Sequence, residues 1–152
     1  MSNVVPLVPP ATHLIPEDQV TLQRLSDILD TIYCEHVIED EGDIYVTEGV
    51  EIPLWLRIKT NAKLIVMLTC YDEETEIPAD RINTFNASII LPQFSLDGSV
   101  MWGRYWLTYD GGLNVRHFIK MLRGFSGAFW TAVEELRPCS HQSNDSNTPA
   151  IG

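Results

Sequence analysis

Residues 54–71 read LWLRIKTNAKLIVMLTCY, and this stretch decides the fold class. In residues 54–59, apolar side chains alternate with Trp55, Arg57 and Lys59, which is the pattern of a half-buried β-strand. Residues 64–71 are apolar at almost every position, as is typical of a central strand that is covered on both faces. Because only four residues separate the two runs, we predict two neighbouring strands joined by a short turn.

Two further hairpins are predicted, one on each side of this stretch. The first spans residues 36–47, with a turn in which Gly42 can take a positive φ. The second spans residues 89–109, and its turn at Asp97 and Gly98 is a strong local hairpin signal. We therefore expect an antiparallel sheet.

Three helices complete the pattern. Residues 22–33 follow Thr21, which has the chemistry of an N-cap, and residues 78–87 open at Pro78, since proline is tolerated at the first helical position. The third helix begins after Asn114, and its apolar residues recur at helical spacing: Val115, Phe118, Ile119, Leu122, Phe125, Phe129, Val133 and Leu136. The order α-β-β-β-β-α-β-β-α predicts an α+β domain in which helices flank an antiparallel sheet.

A chain of 152 residues has the length of one domain, which we place at residues 20–137. Residues 1–19 contain four prolines and are predicted to be a proline-rich N-terminal tail. Residues 138–152 are polar and are predicted to be a disordered C-terminal tail.

Charge is the unusual feature of the composition. The chain has 21 acidic and 10 basic residues, for a net charge of −11, and this argues against binding to a nucleic-acid backbone. The acidity is local, because residues 39–51 carry six acidic side chains and residues 72–80 carry five, with no basic residue in either segment. Residues 104–123 have the opposite balance, with four basic residues against one acidic residue. We expect separate acidic and weakly basic surfaces.

The cellular compartment is predicted from features that the sequence lacks. The longest apolar run has five residues, 64–68, far short of the roughly 20 that cross a bilayer. The first residues have no basic segment of the kind that opens a signal peptide. The three cysteines have no C-x-x-C spacing, so neither a disulfide framework nor a zinc site is indicated. We expect a cytoplasmic protein that binds neither membrane nor metal.

No catalytic motif is complete. Ser126 lies in a sequence like G-x-S-x-G, but the second glycine is replaced and the segment is predicted to be helical. The four histidines are not spaced as metal ligands. We therefore predict no catalytic residue, no cofactor and no enzyme activity, and a hydrolase that uses Asp80 or His117 is retained only as an alternative.

Aromatic residues are the most suggestive candidates for a binding site. On the strand predicted at residues 99–109, Trp102 and Trp106 share one face and Tyr105 lies on the other, and both faces need covering. Helices of the same chain are one cover, and a dimer or partner protein is the other. A different hypothesis is a small-molecule-sensing module with an apolar pocket between the sheet and the last helix, near Trp102, Trp106 and Phe118.

Several short motifs resemble one family. They are Ile82-Asn-Thr-Phe-Asn86, Phe94-Ser-Leu-Asp-Gly98, Asp110-Gly-Gly-Leu113 with the helix after it, residues 39–43 in a hairpin turn, and Trp55-Leu-Arg57. Over residues 20–136 the chain resembles the YbjN-like family, described as bacterial sensory transduction regulators. The resemblance implies a fold like that of type III secretion chaperones, which are often dimeric, and a regulatory or protein-binding role.

Asn83 and Asn86 lie on one side of the predicted second helix, where their amides could either tie the neighbouring backbone or contact a partner. The expectation is a non-enzymatic regulator or chaperone-like protein of bacterial signalling or stress response. We expect it to bind another protein, to form a homodimer, and to bind no nucleic acid. The candidate binding residues are Trp55, Trp102, Tyr105, Trp106, Asn83 and Asn86.

Overall fold

The fold is described by a computed structural model, which covers residues 13–89 and 91–136. Three helices lie along the chain: α1 (Leu22–Thr31), α2 (Ala79–Ser88) and α3 (Val115–Leu136). The strands are β1 (Leu14–Ile15), β2 (His36–Ile38), β3 (Ile44–Val46), β4 (Leu54–Lys59), β5 (Leu64–Asp72), β6 (Gln93–Asp97), β7 (Val100–Thr108) and β8 (Leu113–Asn114), and a 3-10 turn covers Glu17–Gln19.

Six strands form one antiparallel sheet in the order β2-β3-β4-β5-β7-β6, so β4 and β5 from the opening stretch lie at its centre. The predicted α+β class and antiparallel sheet are confirmed. The turns form as expected, because Gly42 has a φ of 92° and Gly98 a φ of 62°.

A short second sheet pairs β1 with β8, where Ile15 lies opposite Leu113, and Ile15 is fully buried. The domain therefore begins before residue 20, and the predicted boundary is late because a two-residue strand leaves no periodic signal. The remaining parts of the predicted tails, residues 1–12 and 138–152, lie outside the described residues.

Side-chain caps mark the starts of α1 and α3. Thr21 Oγ1 accepts a hydrogen bond from the N–H of Arg24 at 3.1 Å, and Asn114 Oδ1 accepts one from the N–H of His117 at 3.0 Å. Pro78 occupies the N-cap position of α2, so this helix begins at Ala79, one residue after the predicted start. None of the helices in residues 13–89 and 91–136 combines the length and apolar character needed to cross a membrane.

All three helices pack on the same face of the sheet. Buried side chains of α1 and the first half of α3, such as Leu25 and Phe118, share a cluster with Leu56 and Met67 of the central strands. A second cluster joins α2 and the end of α3 to the β6–β7 hairpin: Ile82, Phe85, Phe94, Met101, Phe129 and Val133. Burial of these side chains supplies the main stabilisation of the layered arrangement.

A glycine allows α3 to approach the sheet. A Cβ atom added to Gly103 in β7 would lie 2.5 Å from Cδ2 of Phe129, closer than two carbon atoms can pack. Phe129 is fully buried and stacks on Phe94, with ring centroids 5.8 Å apart. The ring occupies the space that any other residue at position 103 would need.

One expectation about the sheet is wrong. Strand β5 is not covered by helices on both faces, because its other face, carrying Val66, Leu68 and Cys70, contributes to neither of the two helix-packed clusters. The apolar sequence of a strand face indicates that exposing the face to water is unfavourable, but it does not identify what covers the face.

Candidate functional site: the outer face of the sheet

The face of the sheet opposite the helices is called the outer face here. Antiparallel partners lie on the same face, so the register fixes its membership. It consists of Val37, Tyr45, Trp55, Arg57, Lys59, Leu64, Val66, Leu68, Cys70, Asp72, Gln93, Ser95, Asp97, Val100, Trp102, Arg104, Trp106 and Thr108. Its centre is apolar and aromatic.

Three tryptophans come together on this face from separate parts of the sequence. Trp55 and Arg104 pair with opposite sides of Leu68, Trp106 pairs with Val66, and Trp102 pairs with Cys70. Trp106 is the most exposed of the three, with 42% of its surface accessible, while Trp55 and Trp102 are half-buried. Indole rings favour interfaces because they combine a large apolar surface with one N–H donor.

Tyr45 extends the aromatic surface onto β3. Its ring stacks on Trp55 with centroids 4.9 Å apart and an angle of 29° between the ring planes. Tyr45 and Trp55 are a cross-strand pair, and such aromatic pairs stabilise a sheet by about 0.5–1.5 kcal/mol beyond the area they bury. The pair gives this side of the outer face a fixed shape.

Charged residues lie at both ends of the outer face along the strand direction, and the exposed Arg104 lies beside Leu68 near its middle. Asp72 and Asp97 lie at one end, whereas Lys59 lies at the other. Arg57, near Lys59, is neutralised by Asp43 through two hydrogen bonds of 2.9 and 2.8 Å. The outer face is therefore acidic at one end and basic at the other.

Hydrogen bonds hold Asp72, at the acidic end, in its charged form. Ser99 Oγ donates to Asp72 Oδ1 at 2.6 Å and the N–H of Glu74 donates to the same oxygen at 2.9 Å, and together they lower the pKa of Asp72. Desolvation, with the nearby Asp72 charge, raises the pKa of the Cys70 thiol. Cys70 is therefore a poor nucleophile at neutral pH, and we treat it as part of the apolar surface.

The structure brings together three of the six predicted site residues: Trp55, Trp102 and Trp106. Tyr105 lies on the helix-packed face, against the cluster of α1 and α3. Asn83 is exposed on α2, away from the outer face.

Asn86 ties α2 to the edge strand β6. Its Oδ1 accepts a hydrogen bond from the N–H of Phe94 at 2.8 Å, and its Nδ2 donates to the carbonyl oxygen of Phe94 at 3.0 Å. Of the two roles left open for this amide, the structure supports the backbone tie.

Sequence analysis missed Tyr45, Val66 and Leu68 as members of the site. Each lies on the outer face only because of the strand register, and no local pattern around Tyr45 distinguishes it from other strand residues. The alternation in residues 54–59, combined with the residue-by-residue pairing of β3 with β4, would have predicted the outer face.

The alternative of an apolar pocket between the sheet and α3 is contradicted by the packing. Phe118 is fully buried in the space between α3 and the sheet, where Leu122, Phe125 and Phe129 are also fully buried. Trp102 and Trp106 are on the opposite face of the sheet from Phe118. The three residues cannot line a common cavity.

The three residues considered for catalysis are Ser126, His117 and Asp80, and their surroundings suit a structural role. Ser126 is fully buried, and its Oγ accepts a hydrogen bond from the N–H of Ile52 at 2.9 Å. His117 and Asp80 are exposed in the first turns of α3 and α2 respectively, far apart in the fold. Within the part of the chain that the structure describes, no three His, Cys, Asp or Glu side chains are placed to hold a metal ion.

Among the described residues, Ser26 and His36 are the pair that most resembles a catalytic nucleophile with its general base. Ser26 Oγ lies 2.6 Å from His36 Nε2, and His36 Nδ1 lies 2.8 Å from the carbonyl oxygen of Cys34. The carbonyl must accept, so Nδ1 is the donor and Nε2 accepts from the serine. Both side chains are buried between α1 and β2. The pair fixes α1 on β2.

Comparison with known proteins bears on the fold. No family model matches the chain, and no curated protein sequence matches it. Among solved structures, the crystal structure of YbjN, "a putative transcription regulator from E. coli", is similar at a TM-score of 0.62. The chain has a YbjN-like fold.

The match to YbjN covers 80% of this chain and 92% of that chain, at 15% sequence identity. At this identity the likeness establishes the YbjN-like fold alone. The fold that the short motifs implied is confirmed.

Proposed function

We propose that this chain is a non-enzymatic, cytoplasmic, chaperone-like regulator of bacterial signalling or stress response, which works through protein–protein contacts as a homodimer. The observation that carries the proposal is the outer face, where Trp55, Trp102 and Trp106 are gathered on a sheet surface that none of the described helices covers. Large contiguous apolar patches on a protein surface mark sites of interaction. The description of YbjN as a transcription regulator supports a regulatory role.

The size of the outer face fits a protein interface. The six strands contain 35 residues, and each strand residue covers about 16 Å² of a sheet. The flat footprint is therefore about 600 Å², close to the roughly 800 Å² per partner of a standard interface. A small ligand would leave most of such a surface in water.

The charge pattern favours a second copy of the chain as the partner. If two outer faces pack about a two-fold axis perpendicular to the strands, the acidic end of one copy, Asp72 and Asp97, lies over Lys59 of the other. A two-fold axis parallel to the strands would instead place like charges together. The charges at the two ends of the outer face are therefore complementary in one orientation.

Light scattering after size-exclusion chromatography tests the proposal, with the loading concentration varied from about 1 to 500 µM. We expect the molar mass to approach twice 17.2 kDa as the concentration rises. Trp106→Gln removes an exposed indole from the outer face and should shift the dissociation constant upward at least tenfold, as expected for an interface hot spot.

Tyr33→Gln is the matched control. Tyr33 is 89% exposed in the loop after α1, off the sheet, so its replacement should leave the dissociation constant unchanged. A chain that stays monomeric throughout the range would contradict self-association, and equal effects of the two substitutions would contradict the outer face as its site.

A further inference from the structure

A groove of about 660 Å³ runs between α1 and the first half of α3, on the side of the molecule opposite the outer face. Its floor is apolar and is formed by Ile15, Ile28, Ile32, Val115 and Ile119. Its rim carries Arg24, Asp27, Thr31 and His13. Grooves with an apolar floor between two helices are typical receptors for the apolar side of a third helix.

A second cleft of about 620 Å³ continues the groove along α3, since Ile119 lines both. Its walls carry Arg116, Lys120 and Arg123. Residues spaced by four and then three lie on one side of a helix, so these three cations form one stripe beside the apolar floor. We call the two clefts together the α1–α3 groove.

Within the described residues, the cations of the α1–α3 groove form no salt bridge with a carboxylate. Among residues 13–89 and 91–136, the salt bridges of Arg and Lys side chains join Asp43 to Arg57 and Glu17 to Lys63. Arg24 has a neutral contact instead, because its guanidinium lies 3.2 Å from Nε2 of His13. A surface cation in a salt bridge already has its anion. Arg24, Arg116, Lys120 and Arg123 lie outside these salt bridges and remain available to an incoming anionic group.

The stripe stands out in a chain whose net charge is −11. Residues 115–123 of α3 contain three basic residues and no acidic one. Because charges are screened beyond about 8 Å at physiological ionic strength, a ligand lying in the groove responds mainly to these local cations. The acidic segments at residues 39–51 and 72–80 limit the approach of a long, uniformly charged polymer.

We propose that the α1–α3 groove binds an acidic, amphipathic helical segment of another protein. The apolar side of such a segment would lie on Ile28, Ile32 and Ile119, while its carboxylates would meet Arg116 and Lys120. A nucleic-acid strand would satisfy the cations but would leave the isoleucine floor without an apolar partner. The groove lies apart from the outer face, so this inference does not depend on self-association.

Fluorescence anisotropy with the full chain and a labelled model peptide tests the inference. The peptide is a helix with leucines at spacings of three, four and seven and glutamates on either side, and its sibling has glutamine at each glutamate position. We expect micromolar binding of the glutamate peptide at about 50 mM salt, and weaker binding at about 300 mM salt. The glutamine peptide should bind at least tenfold more weakly.

Two charge variants locate the site without disturbing the core. Arg116→Gln and Lys120→Gln should each weaken binding about two- to fivefold, as expected for exposed ion pairs. Arg81→Gln, on α2 and outside both clefts, is the matched control and should leave binding unchanged. Failure of the outer face to self-associate would not alter these results, so the two proposals can fail separately.

Four outcomes would overturn the inference. They are no binding at millimolar peptide, equal binding of the two peptides, tighter binding of a single-stranded oligonucleotide of equal charge, and displacement of the probe by a synthetic peptide of residues 1–12. The last outcome would assign the groove to the chain's own N-terminal segment, which joins the described fold at the rim residue His13.

Discussion

The contact between Gly103 and Phe129 gives the sharpest prediction about the fold. In Gly103→Ala, the new Cβ would lie 2.5 and 2.7 Å from Cδ2 and Cε2 of the Phe129 ring, about 1 Å inside normal carbon–carbon contact. The ring cannot simply withdraw, because it is fully buried and stacked on Phe94. Either α3 must move away from the sheet or the ring must leave its rotamer.

The expected magnitude follows from two opposing effects. Overpacking costs about 1–3 kcal/mol, and contacts of 2.5 and 2.7 Å with a fully buried ring place this substitution in the upper half of the range, about 2–3 kcal/mol. Replacing a strand glycine by alanine recovers up to about 1 kcal/mol, because the unfolded chain loses freedom. The net loss is about 1–2 kcal/mol, which corresponds to a fall in Tm of about 4–8 °C for a domain of this length.

Thermal unfolding followed by circular dichroism at one fixed protein concentration measures the change, since self-association makes Tm depend on concentration. Gly127→Ala in α3 is the matched control: apart from the backbone of its own helix, no atom of the described residues lies within 4 Å of the added Cβ, so we expect stabilisation of up to about 1 kcal/mol from helix propensity. Equal or higher Tm for Gly103→Ala would refute the close approach of α3 to β7.

Three further predictions concern polar contacts. Ser126→Ala leaves the N–H of Ile52 without its acceptor in the core and should cost about 1–3 kcal/mol in urea unfolding, while a nucleophilic role would predict unchanged stability. Asn86→Ala removes two hydrogen bonds to β6 and should lower stability by about 1–2 kcal/mol, whereas Asn83→Ala, an exposed neighbour, should change it by less than about 0.5 kcal/mol in the same assay. The folded-state pKa of Asp72 is lowered, so its contribution is present above the ordinary aspartate pKa and is lost as the pH falls through the folded value. The difference in Tm between pH 7 and pH 3 should therefore be smaller in Asp72→Asn, and an unchanged difference would contradict the shift.

Much of the fold could be predicted from local signals. The eight apolar residues of α3 recur at helical spacing, and the N-cap Asn114 marks its start, so the helix follows from sequence alone. Strand β4 has the predicted bounds because its alternation is uninterrupted. The β1–β8 pair was missed because it joins residues about 100 positions apart, Leu14 with Asn114 and Ile15 with Leu113, and non-local pairing has no local signature.

The candidate site was only partly predictable. The two-residue period of a strand places Tyr105 and Trp106 on opposite faces, but it does not say which face the helices cover. That choice depends on how α3 packs, and packing against Gly103 assigns the tryptophans to the uncovered face. Tyr45 joins the site through pairing with Trp55, which only the register of β3 and β4 determines.

Acrylamide quenching of tryptophan fluorescence tests the central claim most directly, because the unmodified chain carries its own reporters. Three of its four tryptophans lie on the outer face, and the fourth, Trp130, packs among the residues of α2 and α3. Raising the protein concentration from about 0.1 to 100 µM should reduce quenching, with a midpoint equal to the dissociation constant from light scattering. Dimer formation without any change in quenching would place the interface elsewhere and contradict the account.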